Sequence, residues 1–331
     1  MKKRLVNILT GGGGRLSTGF TMAEILLSLT IIGVVAAITL PSLTGNINER
    51  TWNTQRKALY ARMSQAISLM PSLNGYGTLT EDADGNITED TVAETFITAG
   101  LSKVLKINNI CDTEHLSDCG LASKFTPYSG DINTFPTKWS ELNPGMKSTS
   151  WSGKTFSMID AKAAAFETAN GESIAVFYNP NCQSDMGEGS YYLINSKVCA
   201  NMIFDLNGNK GPNTLGKDIG WITIFYPVDS VVVAPEPSPR AQSSSTVTWQ
   251  EATELCRNYD TGYRLPNKEE AASLFVNRTY LGTLPAGING GNLWTSTRAS
   301  ATRAYHMFWH GVLGTLLLTD TFGNNAWCVK R

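Results

Sequence analysis

The sequence predicts an α+β fold. A long N-terminal helix, transmembrane in its first half and amphipathic in its second, packs on an antiparallel sheet, and a smaller α+β domain follows. Three observations carry this reading. From Ile25 to Asn48 no residue is charged, and about 20 apolar residues let a helix cross a bilayer. Between 173 and 228 lie runs rich in β-branched and aromatic residues, bounded by Gly, Asn and Pro, the signature of strands. At 231–248, "VVVAPEPSPRAQSSSTVT", apolar periodicity gives way to Pro and Ser, the composition of an extended, semi-stiff spacer.

The 331 residues suffice for two or three domains. A net charge of −1 gives no electrostatic case for nucleic acid as a partner. The six cysteines, Cys111, Cys119, Cys182, Cys199, Cys256 and Cys328, form no CxxC and no Cys/His cluster. An even count without metal spacing points to disulfides and an oxidising compartment. Fully reduced structural cysteines are the alternative, and connectivity does not follow from the count.

The N-terminal segment comes first in the chain. Lys2, Lys3, Arg4 and Arg15 precede the apolar run, which places the start of the chain in the cytoplasm. A secretory signal would be cut after its apolar core at a small-residue site. Here the small residue, Gly19, stands before the core, so the helix is expected to stay on the mature chain. Glu24 sits at the head of that helix, where a carboxylate costs a few kcal/mol in lipid and marks a functional site. If the chain is cut after Gly19, Phe20 becomes a free N-terminus and Glu24 the fifth residue. The new α-amine of one subunit then pairs with Glu24 of its neighbour. Pairing offsets the desolvation each charge suffers alone and sets the axial register of a polymer. A carboxylate in the first turn also suits the helix dipole.

The stretch "GFTMAEILLSLTIIGVVAAITLPSL" (19–43) resembles the N-terminus of type IV prepilins and type II secretion pseudopilins. That family has Gly before the cut, usually Phe after it, and Glu as the fifth mature residue. The resemblance implies that a prepilin peptidase cleaves after Gly19 and methylates the amine of Phe20, and that Glu24 serves assembly. It also implies a role for Pro41, which falls where family members often carry proline. Proline removes a backbone donor and loosens the helix, which lets pilin helices pack inside a filament. The leader, with a glycine run at 11–14, is longer than many in the family. That run is no phosphate loop, because no Gly-Lys-Ser/Thr follows.

Beyond the uncharged run, Trp52, Leu59, Tyr60, Met63, Ile67 and Met70 recur at helical spacing, with Arg56, Lys57 and Arg62 elsewhere on the wheel. Pro71 is the expected stop. Residues 91–107 read as a short helix pair broken at Gly100. The runs at 173–179, 190–195, 200–208 and 221–228 read as strands. Cys182 and Cys199 bracket the 190–195 strand, where a bond would staple a hairpin, and Cys111 with Cys119 would close a small loop. A strand meander on a long helix is the headgroup pattern of the pilin fold.

"DLNGNKGPNTLGKD" (205–218) is the strongest ion candidate. Asp205, Asn207, Asn209 and Asp218 offer the hard oxygens that calcium prefers. Many pseudopilin-like headgroups carry a similar turn, and some bind calcium there. Lys210 occupies the place where an EF-hand loop needs glycine, so a Gly/Asn turn with polar capping is the plainer reading. No cofactor is required, and calcium is the ion this oxygen set suits. "DADGNITED" (82–90) reads as an exposed acidic loop.

After the spacer, "WQEATELCRNYDTGYRLPNKEEAASLF" (249–275) opens with an amphipathic helix bearing Ala252, Leu255 and Cys256 on one face. A turn and a second helix start follow, with Asn267 as N-cap. Runs at 292–297, 304–310 and 326–331 read as strands. Through Trp249, Ala252, Cys256, Arg264, Leu265, Pro266, Glu269, Trp294, Thr295 and Cys328, residues 247–331 resemble the short C-type-lectin-like domains that end some bacterial collagen-like adhesins. In that fold the first helix is tied to the last strand, so the resemblance implies a Cys256–Cys328 disulfide. Closing so long a loop stabilises by roughly 4 kcal/mol. The calcium and sugar triplets Glu-Pro-Asn and Trp-Asn-Asp of animal lectins are absent here, so calcium-dependent sugar binding does not carry over. Trp294, Trp309, Trp327 and Tyr305 either stack on a ligand or fill the core, and core is the preferred reading. His306 and His310 lack a third ligand.

The resulting layout is a cleaved leader 1–19, a pilin helix 20–71 (transmembrane about 24–44), a headgroup 72–230, a linker 231–246 and a C-type-lectin-like domain 247–331. The expected function is a minor filament subunit. It would be inserted in the bacterial inner membrane with its N-terminus cytoplasmic, processed by prepilin peptidase, and assembled with other pilin or pseudopilin subunits into a periplasmic or extracellular filament. The last domain would present an adhesion or recognition surface. The alternative is a pseudopilin of a type II secretion system whose last domain engages secreted cargo. Catalysis is not expected. The C-type-lectin-like fold also serves formylglycine-generating enzymes, but those need reactive cysteines, and Cys256 and Cys328 have a structural explanation.

Overall fold

A computed structural model of the chain describes residues 22–74, 90–128, 130–142, 148–151, 154–157, 160–182, 192–193, 197–225, 230–233, 237–242, 246–280, 292–308, 311–321 and 324–330. The chain divides into two compact units, one up to Thr51 and one from Trp52 to Arg331.

Helix α1 runs from Met22 to Asn74. In the first unit its apolar side chains Ile25, Leu26, Leu27, Leu29, Ile31, Ile32, Val34 and Val35 are all exposed. Yet no helix among the described residues is long and apolar enough to cross a membrane. This overturns the expected fold class. The protein is α+β with a mostly antiparallel sheet, but the described residues show no long apolar transmembrane half over about 24–44. The described run is not uniformly apolar. Ser28 and Thr30 interrupt that run, their hydroxyls donating back to Ile25 O at 2.9 Å and Leu26 O at 2.7 Å.

In the second unit α1 buries a stripe of Leu59, Met63, Ile67 and Met70, each at most 2% exposed, at the spacing of one helical face. The helix continues past Pro71, the expected stop, to Asn74. Buried Ile67 and Met70 hold the turn before it against the core. Arg62 leaves the stripe to make a two-pronged ion pair with Glu172, Nη1 to Oε2 at 3.3 Å and a closer contact from Nη2 to Oε1. Glu172 is 6% exposed. Arg62→Ala removes the charged partner of that carboxylate, which keeps the Thr168 hydroxyl, so a loss of about 1–3 kcal/mol is expected in urea denaturation, tempered by the partial exposure of Arg62. Arg62→Met with Glu172→Gln should recover most of it.

A broken helix follows: α2 (Val92–Thr95), a π turn (Phe96–Gly100) and a 3₁₀ turn (Leu101–Lys103). Short strands come next, with β1 at Ile107–Cys111, β2 at Lys124–Phe125 and β3 at Asn133–Thr134. Helix α3 is Trp139–Leu142, and a small ribbon is built of β4 (Ser148–Trp151) and β5 (Lys154–Ser157). Then come β6 (Ala164–Thr168), β7 (Ser173–Tyr178), β8 (Tyr192–Leu193), β9 (Val198–Asp205), β10 (Ile219–Phe225), β11 (Ser230–Val233) and β12 (Pro237–Gln242). The main sheet has the antiparallel order β1-β6-β7-β9-β10-β11. Strands β7, β9 and β10 are buried at every residue, so they read as continuous apolar runs rather than alternating ones.

The last module holds α4 (Trp249–Tyr259), β13 (Tyr263–Arg264), α5 (Lys268–Val276), β14 (Asn292–Arg298), β15 (Arg303–Met307), β16 (Val312–Leu317), β17 (Asn324–Asn325) and β18 (Trp327–Lys330). Thr248 and Asn267 each close a capping box, with Glu251 and Glu270.

This module shares a core with the headgroup. Leu274, Val276, Leu293, Val312 and Val329 belong to the same buried cluster as Met63, Phe166 and Ile203. Strand β8 pairs with β16, and the Pro/Ser-rich stretch contributes β11 to the main sheet and β12 beside β18. A buried polar network crosses between the two. Trp221 Nε1 donates to Ser273 Oγ at 2.9 Å, and Thr223 Oγ1 donates to Asn201 Oδ1 at 2.7 Å. Asn201 and Asn277 exchange side-chain hydrogen bonds at 2.8 and 3.1 Å. Each of these polar groups has a partner, so the network specifies one docking geometry. The spacer reading missed this because Asn201 and Thr223 look like stray polar residues in apolar strands. Their partners in the last module lie 50 to 76 residues away.

Candidate functional site

Two places hold the residues singled out from the sequence. At the N-terminal end, Gly19 and Phe20 lie outside the described residues. Glu24 is exposed in the first turn of α1, where its charge suits the helix dipole. Pro41 lies within α1. Residues 82–89, Trp309 and His310 also lie outside the described residues.

The second place is the 205–218 loop joining β9 to β10. The loop is a closed hydrogen-bonded turn. Asp205 Oδ1 accepts from Asn207 N at 3.1 Å, Asn207 Nδ2 donates to Gly211 O at 2.7 Å, and Leu206 N donates to Asp218 O at 2.9 Å. Asp218 is fully buried and accepts from the backbone, Oδ2 from Asn213 N and Oδ1 from Thr214 N, both at 2.8 Å. Asn213 has φ of 51°, a left-handed conformation that asparagine tolerates better than most residues. Gly216, with φ of 82°, has no room for a side chain, because a Cβ would lie 2.9 Å from the Tyr128 ring. Arg56 of α1 donates to the carbonyls of Gly216 and Lys217, tying the loop to the helix.

Inside this turn three acceptor oxygens are buried without a hydrogen-bond donor: Asp205 Oδ2, Asn207 Oδ1 and Asn213 Oδ1. Asp205 is 1% exposed. Burial, with a smaller contribution from the charge of Asp218, pushes its carboxyl up to about 7. Lone acceptors in a dry site cost free energy, and a hard cation answers oxygens of this kind. The residues therefore fit calcium, with Asp205, Asn207 and Asn213 as those that would hold it. The ion would supply positive charge to the buried carboxylate and satisfy the amide oxygens. Among the described residues no group of three or more His, Cys, Asp or Glu could hold a metal, which leaves amide-rich sets untouched. Of the residues anticipated here, Asn209 is exposed at the tip of the turn, and Asp218 uses both oxygens on backbone donors. Asn213 was missed. Its role depends on a left-handed backbone that the letters "GPN" do not spell out.

In the last module Cys256 and Cys328 join α4 to β18 with Cα atoms 5.2 Å apart. Cys111–Cys119 and Cys182–Cys199 are the other two disulfides. Arg264 makes its fork to Glu270, both contacts at 2.7 Å, rather than to Glu269. Trp294 is fully buried, its Nε1 donating to Val247 O at 2.8 Å. His306 is buried between Trp294 and Phe308. Thr295 Oγ1 donates to Tyr305 O at 2.8 Å. Trp249 is partly buried, with the Arg298 guanidinium 4.5 Å above its ring.

No protein-family model matches the chain, and no curated protein is significantly similar to it.

Proposed function

We propose that the chain is a minor subunit of a pilin-like filament. Prepilin peptidase processes it between Gly19 and Phe20, and the last module is its recognition surface. The observation that carries the reading is the end of α1. A single carboxylate, Glu24, heads a helix whose side chains from Ile25 to Val35 are apolar but for Ser28, Thr30 and Gly33 and are exposed on all sides. Such a surface needs a cover, and neighbouring helices of a filament supply one, with Glu24 meeting the new α-amine of the next subunit. Before assembly the same surface holds the chain at the inner membrane. The buried network from Asn201 to Asn277 supports a recognition module carried in fixed orientation on the headgroup. Its partner is a host, surface or cargo ligand. The 205–218 loop is a calcium site in this reading.

Gly19→Ala is expected to block loss of residues 1–19, read as a mass shift on immunoblot. Glu24→Ala is expected to leave processing intact and reduce incorporation into filaments roughly tenfold or more, the size of effect when a buried charge loses its partner. Normal incorporation of the Glu24 variant would sink the charge-pairing account. Gentle shearing of cells followed by detection of residues 247–331 distinguishes an exposed filament from a secretion pseudopilus, whose signal stays with membrane and periplasm.

A further inference from the structure

A groove of about 390 Å³ lies between the second half of α1 and the segment that enters β1. Leu59, Met63, Ala66 and Leu69 line it from the helix, and Val104 and Leu105 from the segment before β1. Leu59, Met63 and Ala66 are at most 2% exposed, whereas Leu69 is 45% exposed. The lining is therefore apolar at depth and still apolar where it opens to water. Its charges are unequal. Arg62 also lines the groove but is committed elsewhere: both Nη atoms meet Glu172, and Nε donates to Ala58 O at 3.4 Å. Lys106 is exposed on the lining, and among the described residues its ammonium meets no carboxylate. No carboxylate lines the groove among those residues, so the charge it offers an occupant is positive.

The backbone around the groove is already bonded. Val104 N and Leu105 N both donate to Leu101 O, at 3.0 and 2.8 Å. Thr168 N donates to Glu172 O at 2.9 Å and Ala169 N to Lys106 O at 3.0 Å. Asn170 N donates to the Thr168 hydroxyl at 3.3 Å. An extended peptide draws its affinity from main-chain partners, and these amides have none to give. An apolar chain asks for no such partner. We propose that the groove binds a free fatty acid, its tail along Leu59, Met63, Ala66 and Leu69 and its carboxylate on Lys106. The exposed amides of Gln65 and Asn170 add polar contacts on the same lining. Burial of methylenes supplies most of the affinity. The exposed ion pair adds less strength and chooses an anionic head over a cationic one.

The test is photolabelling of the full-length chain, held in amphipol, with a laurate analogue that carries a diazirine in its tail. A dodecyltrimethylammonium analogue with the same tail is run in parallel, and labelled peptides are mapped by mass. The laurate probe is expected to label 59–69 and 104–106 saturably and to be displaced by plain laurate. The cationic probe should label there at least about threefold less, the effect of one exposed ion pair. Lys106→Glu should reverse that preference, and Leu69→Glu should weaken the laurate probe by a similar factor or more. Both substitutions fall on exposed side chains, so the fold is kept. Equal labelling by the two probes, indifferent to Lys106→Glu, would overturn the proposal, as would label confined to 22–35. Displacement of the probe by a short acidic peptide but not by laurate would also overturn it and make the groove a peptide site.

Discussion

Trp294→Ala is expected to destabilise the folded protein by about 3–5 kcal/mol, the range for emptying a buried aromatic site. Trp294 is fully buried in a cluster with Ala252, Cys256, Leu265, Ala304, Ala326 and Cys328. Its indole N–H donates to Val247 O at 2.8 Å, so truncation leaves a cavity and an unpaired carbonyl together. Its backbone pairs opposite His306 across β14 and β15, which places the cavity in the middle of that sheet. Because the module shares a core with the headgroup, loss should register in the main unfolding transition in guanidinium. A tryptophan used to stack on a ligand would behave in the opposite way, with stability held and binding lost. Trp294→Phe, which refills part of the volume without the N–H, should fall between the wild type and the alanine variant.

Removing the Cys256–Cys328 disulfide is expected to cost about 4 kcal/mol. The bond closes 72 residues of sequence separation, and the entropy of an open loop that long accounts for the magnitude. It joins α4 to β18, whose other neighbours are the two-residue strand β13 and the irregular β12. Without the bond, β18 relies on those short pairings and on the burial of Trp327 and Val329. The paired Ser variant should show a lower denaturation midpoint and faster amide exchange at 324–330. Removing Cys111–Cys119, with a separation of 8, should cost less, because a short loop has less entropy to lose. Equal losses at the two sites would contradict the loop-entropy account.

The local features of this chain were legible from its residues. The stripe Leu59, Met63, Ile67 and Met70 follows from a period of 3.6, and β7, β9 and β10 follow from runs of β-branched and aromatic residues. Asn267 announces itself as an N-cap because its side chain satisfies a donor three residues on. The six cysteines announced disulfides by number. The transmembrane half of the first helix did not hold. The run from Ile25 to Asn48 lacks charge, but Ser28, Thr30, Thr39, Ser42 and Thr44 make it more polar than that lack of charge suggests.

Only tertiary structure decided how the parts meet. The sequence breaks at 231–246, but the fold spans that break with β11 and β12 and with a buried network joining Asn201, Thr223, Ser273 and Asn277. Patterns along a chain report which face of an element is apolar. They carry no record of which buried polar group will satisfy another, because that pairing is settled by packing between distant segments under the cost of leaving a dry donor or acceptor alone.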